Sequence, residues 1–166
     1  AYLVRPLPYP HADRLVSVVP GPPGRPLPDA PSFEQLEQVD WRAVEPIFEA
    51  TVSWDLDAFT LAGGDHPEGV RGTWVTPGYV EALGVRVAHG RGFRADEYVP
   101  GTRVAIISDA LWTRRFGRDP SAIGRAVRLH SVDRTDDAEL VTIVGVLPAD
   151  HWHVNSFTDV LRPLGG

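Results

Sequence analysis

The sequence contains no cysteine, no methionine and no lysine. The missing Cys excludes disulfides, thiolate metal sites and a Cys nucleophile. It does not choose between an oxidising and a reducing compartment. Methionine is absent even at residue 1, so the chain is expected to be processed or to be a piece of something longer. All 16 basic residues are Arg, which excludes a lysine Schiff base and a Walker-type phosphate lysine. The Arg bias is read as a compositional habit before it is read as chemistry. No apolar run approaches the roughly 18 residues needed to span a bilayer, and no signal-peptide pattern is visible.

What is present suits a globular domain. A chain of 166 residues fits one domain or two small lobes. At that length roughly 70% of the unfolded surface can be buried, enough for a core without staples. The hydrophobic share is 43% and the charged share 23%, both ordinary for a globular protein. The net charge of −6 gives no support to a nucleic-acid footprint, which needs a basic face.

Residues 1–13 are dense in proline: Pro6, Pro8 and Pro10 bias this lead-in to extended conformations. Leu15 to Val19 reads as a short strand, and residues 20–31 as a stiff Pro/Gly connector. Ser32 with Gln35 has capping-box spacing, and Phe33, Leu36 and Val39 form a helical stripe, so a helix is expected to about Val44. From Ile47 to Phe59 the residues Phe48, Ala50, Val52, Trp54 and Leu56 alternate with more polar ones. The stretch is ambiguous, and this alternation favours a strand. Gly63-Gly64-Asp65 then turns the chain into an antiparallel partner, Val70 to Val75.

Thr76-Pro77 predicts a capped helix from Pro77 to Leu83, ended by Gly84. Val85 to Ala88 is brief and extended, Gly90 to Phe93 turns, and Arg94 to Gly101 is a loop. Val104 to Ile107 is a continuous apolar run, expected as a strand buried on both faces. Ser108 caps a helix whose apolar side is Leu111, Trp112 and Phe116, and Gly117 ends it. Asp119-Pro120 opens another helical turn, stopped by Gly124. Val127 and Leu129 point one way and Arg128 and His130 the other. Ser131 to Glu139 is a polar loop. Leu140 to Leu147 and Asp159 to Leu164 are strands. The expected fold class is α+β: a mixed or antiparallel sheet with three or four short helices, arranged as one body or two small lobes.

Candidate chemistry is sparse. His151 and His153 would share one face of a strand and could reach one metal, but no third ligand is suggested. They read better as ordinary surface histidines. Asp133, Asp136, Asp137 and Glu139 lack the alternating ligands and the glycine of a calcium loop, and read as a solvated hairpin tip. Ser108 is not in a G-x-S-x-G turn, and its role as a helix cap accounts for it. Gly90-Arg91-Gly92 lacks the third glycine of a dinucleotide loop. Arg114, Arg115 and Arg118 could meet an acidic partner or lipid headgroups, but fit a solvated helix end. Of Trp41, Trp54, Trp74, Trp112 and Trp152, at least Trp74 and Trp112 hold core-like positions. No catalytic, cofactor-binding or metal-binding residue is assigned.

An ordered set of segments gives more. Arg5-Pro6-Leu7-Pro8-Tyr9-Pro10 is followed by Asp13-Arg14-Leu15-Val16, then Val70-Arg71-Gly72 and Val75-Thr76-Pro77-Gly78-Tyr79. Leu83-Gly84-Val85, Gly90-Arg91-Gly92-Phe93 and Val104 to Ser108 come next. Leu111 to Gly117, Asp119-Pro120, Ile123-Gly124-Arg125, Val144 to Pro148 and Asp159-Val160 complete it. In this order, over nearly the whole chain, they resemble the MacB-like periplasmic core domain of ABC-transporter permeases, especially permeases with duplicated halves.

The resemblance implies a non-catalytic domain on the extracytoplasmic (periplasmic) side of the cell membrane, between the first and second transmembrane helices of a permease. It implies as partners those helices, a separate ATP-binding subunit or domain, and a periplasmic adaptor protein. It implies transport or efflux as the setting, no cofactor and no nucleic acid, and dimerisation only in the full-length transporter. Such domains usually continue past the Asp159-Val160 region with a further strand and helix. Residues 1–166 are therefore expected to be a MacB-like domain lacking a returning C-terminal segment. The loop 131–139 is longer than usual for the family. Two rival readings are a secreted ligand-binding module with a Trp-lined apolar groove, and a small hydrolase using Ser108 or a His.

Overall fold

The computed structural model describes residues 9, 12–15, 48–63, 66–132, 138–150 and 158–165. The chain divides into two compact units, residues 1–51 and 52–166. In the first, Ala12–Arg14 forms a 3-10 turn and Arg14 reaches Glu49 at 2.6 Å. Both side chains are well exposed, so water screens the pair. The helix expected from Ser32 and most of the strand expected from Leu15 lie outside the described residues.

Among its described residues the second unit holds seven strands and two α-helices: β1 (Trp54–Ala62), β2 (Glu68–Val75), α1 (Tyr79–Ala82), β3 (His89–Gly90), β4 (Val104–Ile107), α2 (Asp109–Phe116), β5 (Ala126–Ser131), β6 (Glu139–Val146) and β7 (Val160–Pro163). Strand order is β3-β6-β4-β7-β2-β1-β5, and β5 also pairs with β6. That last pairing closes six strands into a ring, with β3 attached to the outer part of β6. β2 runs parallel to β7 and β4 parallel to β6; the other pairs are antiparallel. The sheet is therefore mixed, as expected.

Side-chain alternation gives the ring an inside and an outside. Phe59, Leu61, Val70, Ala105, Ile107, Leu129, Val141, Ile143 and Val160 form one buried cluster with Leu111 and Trp112 of α2. On the other face, Val75, Ile106 and Leu161 are equally buried, as are Tyr79 and Val80 of α1. β4 is thus buried on both faces, and its run of apolar residues has that cause.

The structure corrects the sequence in two places. The alternation from Phe48 to Leu56 is not the inner face of β1. The strand begins at Trp54, and its inward residues are Asp57, Phe59 and Leu61, while Leu56 is 52% exposed. Phe59 and Leu61 pair with Val70 and Glu68 on β2 and set the phase; a strand has only two. Next, α1 is shorter than predicted and starts after Gly78, whose φ is 78°. Thr76 does not cap it. Its Oγ1 accepts from Ser53 N at 2.8 Å and donates to Ser53 O at 3.2 Å, tying the approach to β1 to the end of β2. The helical turn expected after Asp119-Pro120 is present as a 3-10 turn, Pro120–Ala122, with Asp119 accepting from Ser121 N. The described residues therefore hold two α-helices, fewer than the three or four expected.

α2 follows its signals. Ser108 Oγ accepts from Leu111 N at 3.0 Å, and Gly117 closes the helix at φ 56°. Ser108→Ala is expected to cost about 1 kcal/mol of stability, measurable as a lower urea midpoint with unchanged slope.

Candidate functional site

The most concentrated chemistry lies inside one end of the ring, where β1, β2, β5, β6 and β7 each contribute a polar inward residue. Asp57 Oδ2 accepts from Trp74 Nε1 at 2.8 Å and from Ser131 Oγ at 2.6 Å. The Arg162 guanidinium lies over the Trp74 ring at 4.7 Å. Its Nη2 donates to Thr102 O at 2.8 Å and to Glu139 Oε2 at 3.3 Å. The Arg162 side chain is only 3% exposed. Burial pulls the Arg162 guanidinium below its ordinary value, and Glu139 opposes that pull. Among the described residues, Asp57 Oδ1 and Arg162 Nε are buried without a hydrogen-bond partner.

Strand register builds this cluster. Asp57 is opposite Gly72, Phe59 opposite Ser131, and Trp74 opposite Arg162. β4 and β7 pair only through Ile106–Leu161 and Ile107–Val160. Below that point Arg162 spans from β7 to Thr102 and closes the seam with its side chain. The arrangement binds strands together, and its one hydroxyl–carboxylate pair, Ser131 with Asp57, is buried.

The sequence candidates separate clearly. Ser108 is consumed as a helix cap. Arg114 bridges Glu68 at 2.6 Å and Asp159 at 2.8 Å. Arg118 pairs with Asp109 at 2.9 Å and lies 4.9 Å from the centre of the Trp112 ring. The arginines at the end of α2 therefore mainly join α2 to the ring and to its own first turn. Trp54 packs near Tyr79, Trp74 near Phe59, and Trp112 near His89. Trp112 is buried, whereas Trp54 and Trp74 are half-buried and His89 is exposed. His151, His153, Trp41, Trp152 and the acids at 133, 136 and 137 lie outside the described residues. Among the described residues, no group of three or more His, Asp or Glu could hold a metal.

Asp57 and Arg162 escaped sequence reasoning. Asp57 does occupy the same phase as Phe59 and Leu61, which is a usable signal. Arg162 had none, since its partners Trp74, Thr102 and Glu139 lie on three other segments.

A second polar feature orders residues 91–98. Arg91 donates to both carboxylate oxygens of Glu97, at 2.8 and 2.6 Å, and Arg94 N donates to the same carboxylate. The hydrogen bond from Arg91 holds Glu97 below its ordinary value of 4.5, with the Arg94 N–H adding to it. A carboxylate lowered on folding stabilises the fold above its unfolded value and loses that stabilisation as pH falls through its folded value. Stability should therefore decline below pH 4.5, and Glu97→Gln should flatten that decline in urea midpoints measured across the acid range.

No curated protein matches the chain. It resembles the extracellular domain of the noncanonic ABC-type transporter YknZ from Gram-positive bacteria, at 20% identity and a TM-score of 0.52, over 68% of this chain and 52% of that one. It also resembles the periplasmic region of MacB from Actinobacillus actinomycetemcomitans, at 11% identity and a TM-score of 0.54, over 76% of this chain and 55% of that one. At these identities the likeness is one of fold, and the chain spans about half the length of each. A family model covers far more: MacB-like periplasmic core domain matches residues 3–165. The chain belongs to the MacB-like periplasmic core domain family.

Proposed function

We propose that this chain is the non-catalytic extracytoplasmic part of an ABC-transporter permease, coupling ATP-driven movement to export or to the docking of a partner protein. The observation that carries the reading is the family match from residue 3 to residue 165. The architecture suits it. A closed ring of strands has few open edges and resists bending, so displacement at one point is passed on as rigid-body motion. Most of the polar side chains it gathers are hydrogen-bonded from strand to strand. Its energy source would be a separate ATP-binding subunit or domain. Residues 1–166 would be one section of the permease's extracytoplasmic region, with its returning segment elsewhere.

The test is topological. Residues 1–166 contain no Cys, so Val99→Cys, at a residue that is 51% exposed, adds the one thiol of this section to the full-length parent, and labelling is read as the gain over the unsubstituted parent. In intact cells a membrane-impermeant maleimide should label it. Labelling only after the cytoplasmic membrane is breached, or a parent gene encoding no membrane helices, would refute the reading.

A further inference from the structure

Two buried charged groups at the polar end of the ring are only partly used. Among the described residues, Asp57 Oδ1 and Arg162 Nε are the buried side-chain atoms without a protein hydrogen-bond partner. Asp57 is 7% exposed and Arg162 3%. Buried polar atoms in folded proteins are nearly always partnered, by protein or by ordered water. An unused acceptor and an unused donor in one place therefore call for a cause.

Neither group can turn to find a partner. Asp57 Oδ2 holds two donors, Trp74 Nε1 at 2.8 Å and Ser131 Oγ at 2.6 Å, and these orient the carboxylate. The Arg162 guanidinium is held by Thr102 O, by Glu139 Oε2 and by the face of Trp74. It is planar, so fixing Nη2 and the face also fixes the direction of the Nε–H. Register brings the two groups together: Asp57 is opposite Gly72 on β2, and Arg162 is opposite Trp74 two residues on. One indole then carries both charges, the guanidinium over its face and the carboxylate at its Nε1 edge. They are neighbours, yet their two unused atoms do not meet. Burial lowers the Arg162 guanidinium, and Asp57 is among the charges that oppose it, after Glu139.

The chemistry of an occupant follows. It must accept from a guanidinium N–H and donate to a carboxylate oxygen. A fully ionised anion has no proton to give Asp57, and a metal cation cannot accept from Arg162. Asp57, Ser131 and Arg162 are all buried, so the occupant is small. A water molecule meets all three conditions, and internal waters typically take up such unmet bonds.

We propose that one internal water bridges Arg162 Nε to Asp57 Oδ1 and is an integral part of the ring. It would join β7 to β1 across β2, a link that the backbone ladder does not make. The inference concerns the ring itself and does not depend on the permease reading.

Water-selective NOE and ROE spectra of the nitrogen-15-labelled 166-residue chain provide the test. The Arg162 Nε–H should show cross-peaks to water of opposite sign in the two experiments. That is the signature of dipolar contact with a held water; proton exchange gives the same sign in both. Ser131→Ala should leave these cross-peaks in place, which excludes relay through an exchanging hydroxyl. Asp57→Asn keeps an acceptor for Trp74 and Ser131 but sets a second N–H donor against the water, and should weaken the cross-peaks several-fold. In a crystal structure, one water oxygen should lie within about 3.2 Å of both atoms. The proposal is overturned if the cross-peaks have the same sign, vanish in Ser131→Ala or are undiminished in Asp57→Asn. It is also overturned if the crystal structure shows Arg162 Nε bonded directly to Asp57 Oδ1. The wild-type and Ser131→Ala spectra decide the matter even where Asp57→Asn does not fold.

Discussion

Arg162→Met is expected to destabilise the chain by about 3 kcal/mol, the cost of removing one partner from a buried charge cluster. The apolar stem of Met fills much of the same space, so the loss is mainly electrostatic. Glu139 would lose its ion pair, Asp57 the nearby positive charge, and Thr102 O its donor. The cation over the Trp74 ring would go too. With a urea slope of about 1–3 kcal/mol per molar, the midpoint should fall by at least about 1 M.

The companion variant is decisive. Asp57→Asn/Arg162→Met removes both charges while Asn keeps an acceptor for Trp74 and Ser131. It should recover part of the loss, because an uncompensated buried charge costs more than a missing pair. If the double variant is as unstable as the sum of the two single ones, Asp57 and Arg162 are not coupled and the cluster is not a unit.

Gly72→Ala is expected to cost about 3 kcal/mol, at the upper end for overpacking. A Cβ there would lie 1.7 Å from Phe59 Cε2 and 2.0 Å from Cδ2. Phe59 is 1% exposed and packed within the ring, so its ring has little room to yield. Gly72 lies opposite Asp57 on β1, and the missing side chain leaves the space the ring fills. Phe59→Leu should be destabilising by itself, but Phe59→Leu/Gly72→Ala should lose about 1 kcal/mol or more less than the sum of the two. Additive losses in urea denaturation would show that the ring is not the obstacle.

These predictions concern side chains whose partners are distant in sequence, and they mark the boundary of what local reasoning reached. Caps and stops were legible because they are local. Ser108 needs only Leu111, three residues on, and Gly117 only the end of its own helix. Val104 to Ile107 was legible as a doubly buried strand because an uninterrupted apolar run has few other solutions. Thr76 shows the limit. Thr-Pro is a sound local start signal, yet its hydroxyl is taken by Ser53, 23 residues away.

The sequence by itself determined the α+β class, the antiparallel pairing of β1 with β2, the positions of β4 to β7, and the family. Each rests on order along the chain: apolar runs, alternation, turn residues and a succession of short segments. Only the tertiary structure decided which face of β1 points inward, that six strands close on themselves, and that Asp57, Trp74, Ser131, Glu139 and Arg162 meet. The reason is physical. A strand pattern is nearly symmetric between its two faces, and a one-residue shift exchanges them. What breaks that symmetry is pairing between residues such as Phe59 and Ser131, far apart in the chain and adjacent in the ring. The same pairing turned Leu56 outward and left it exposed.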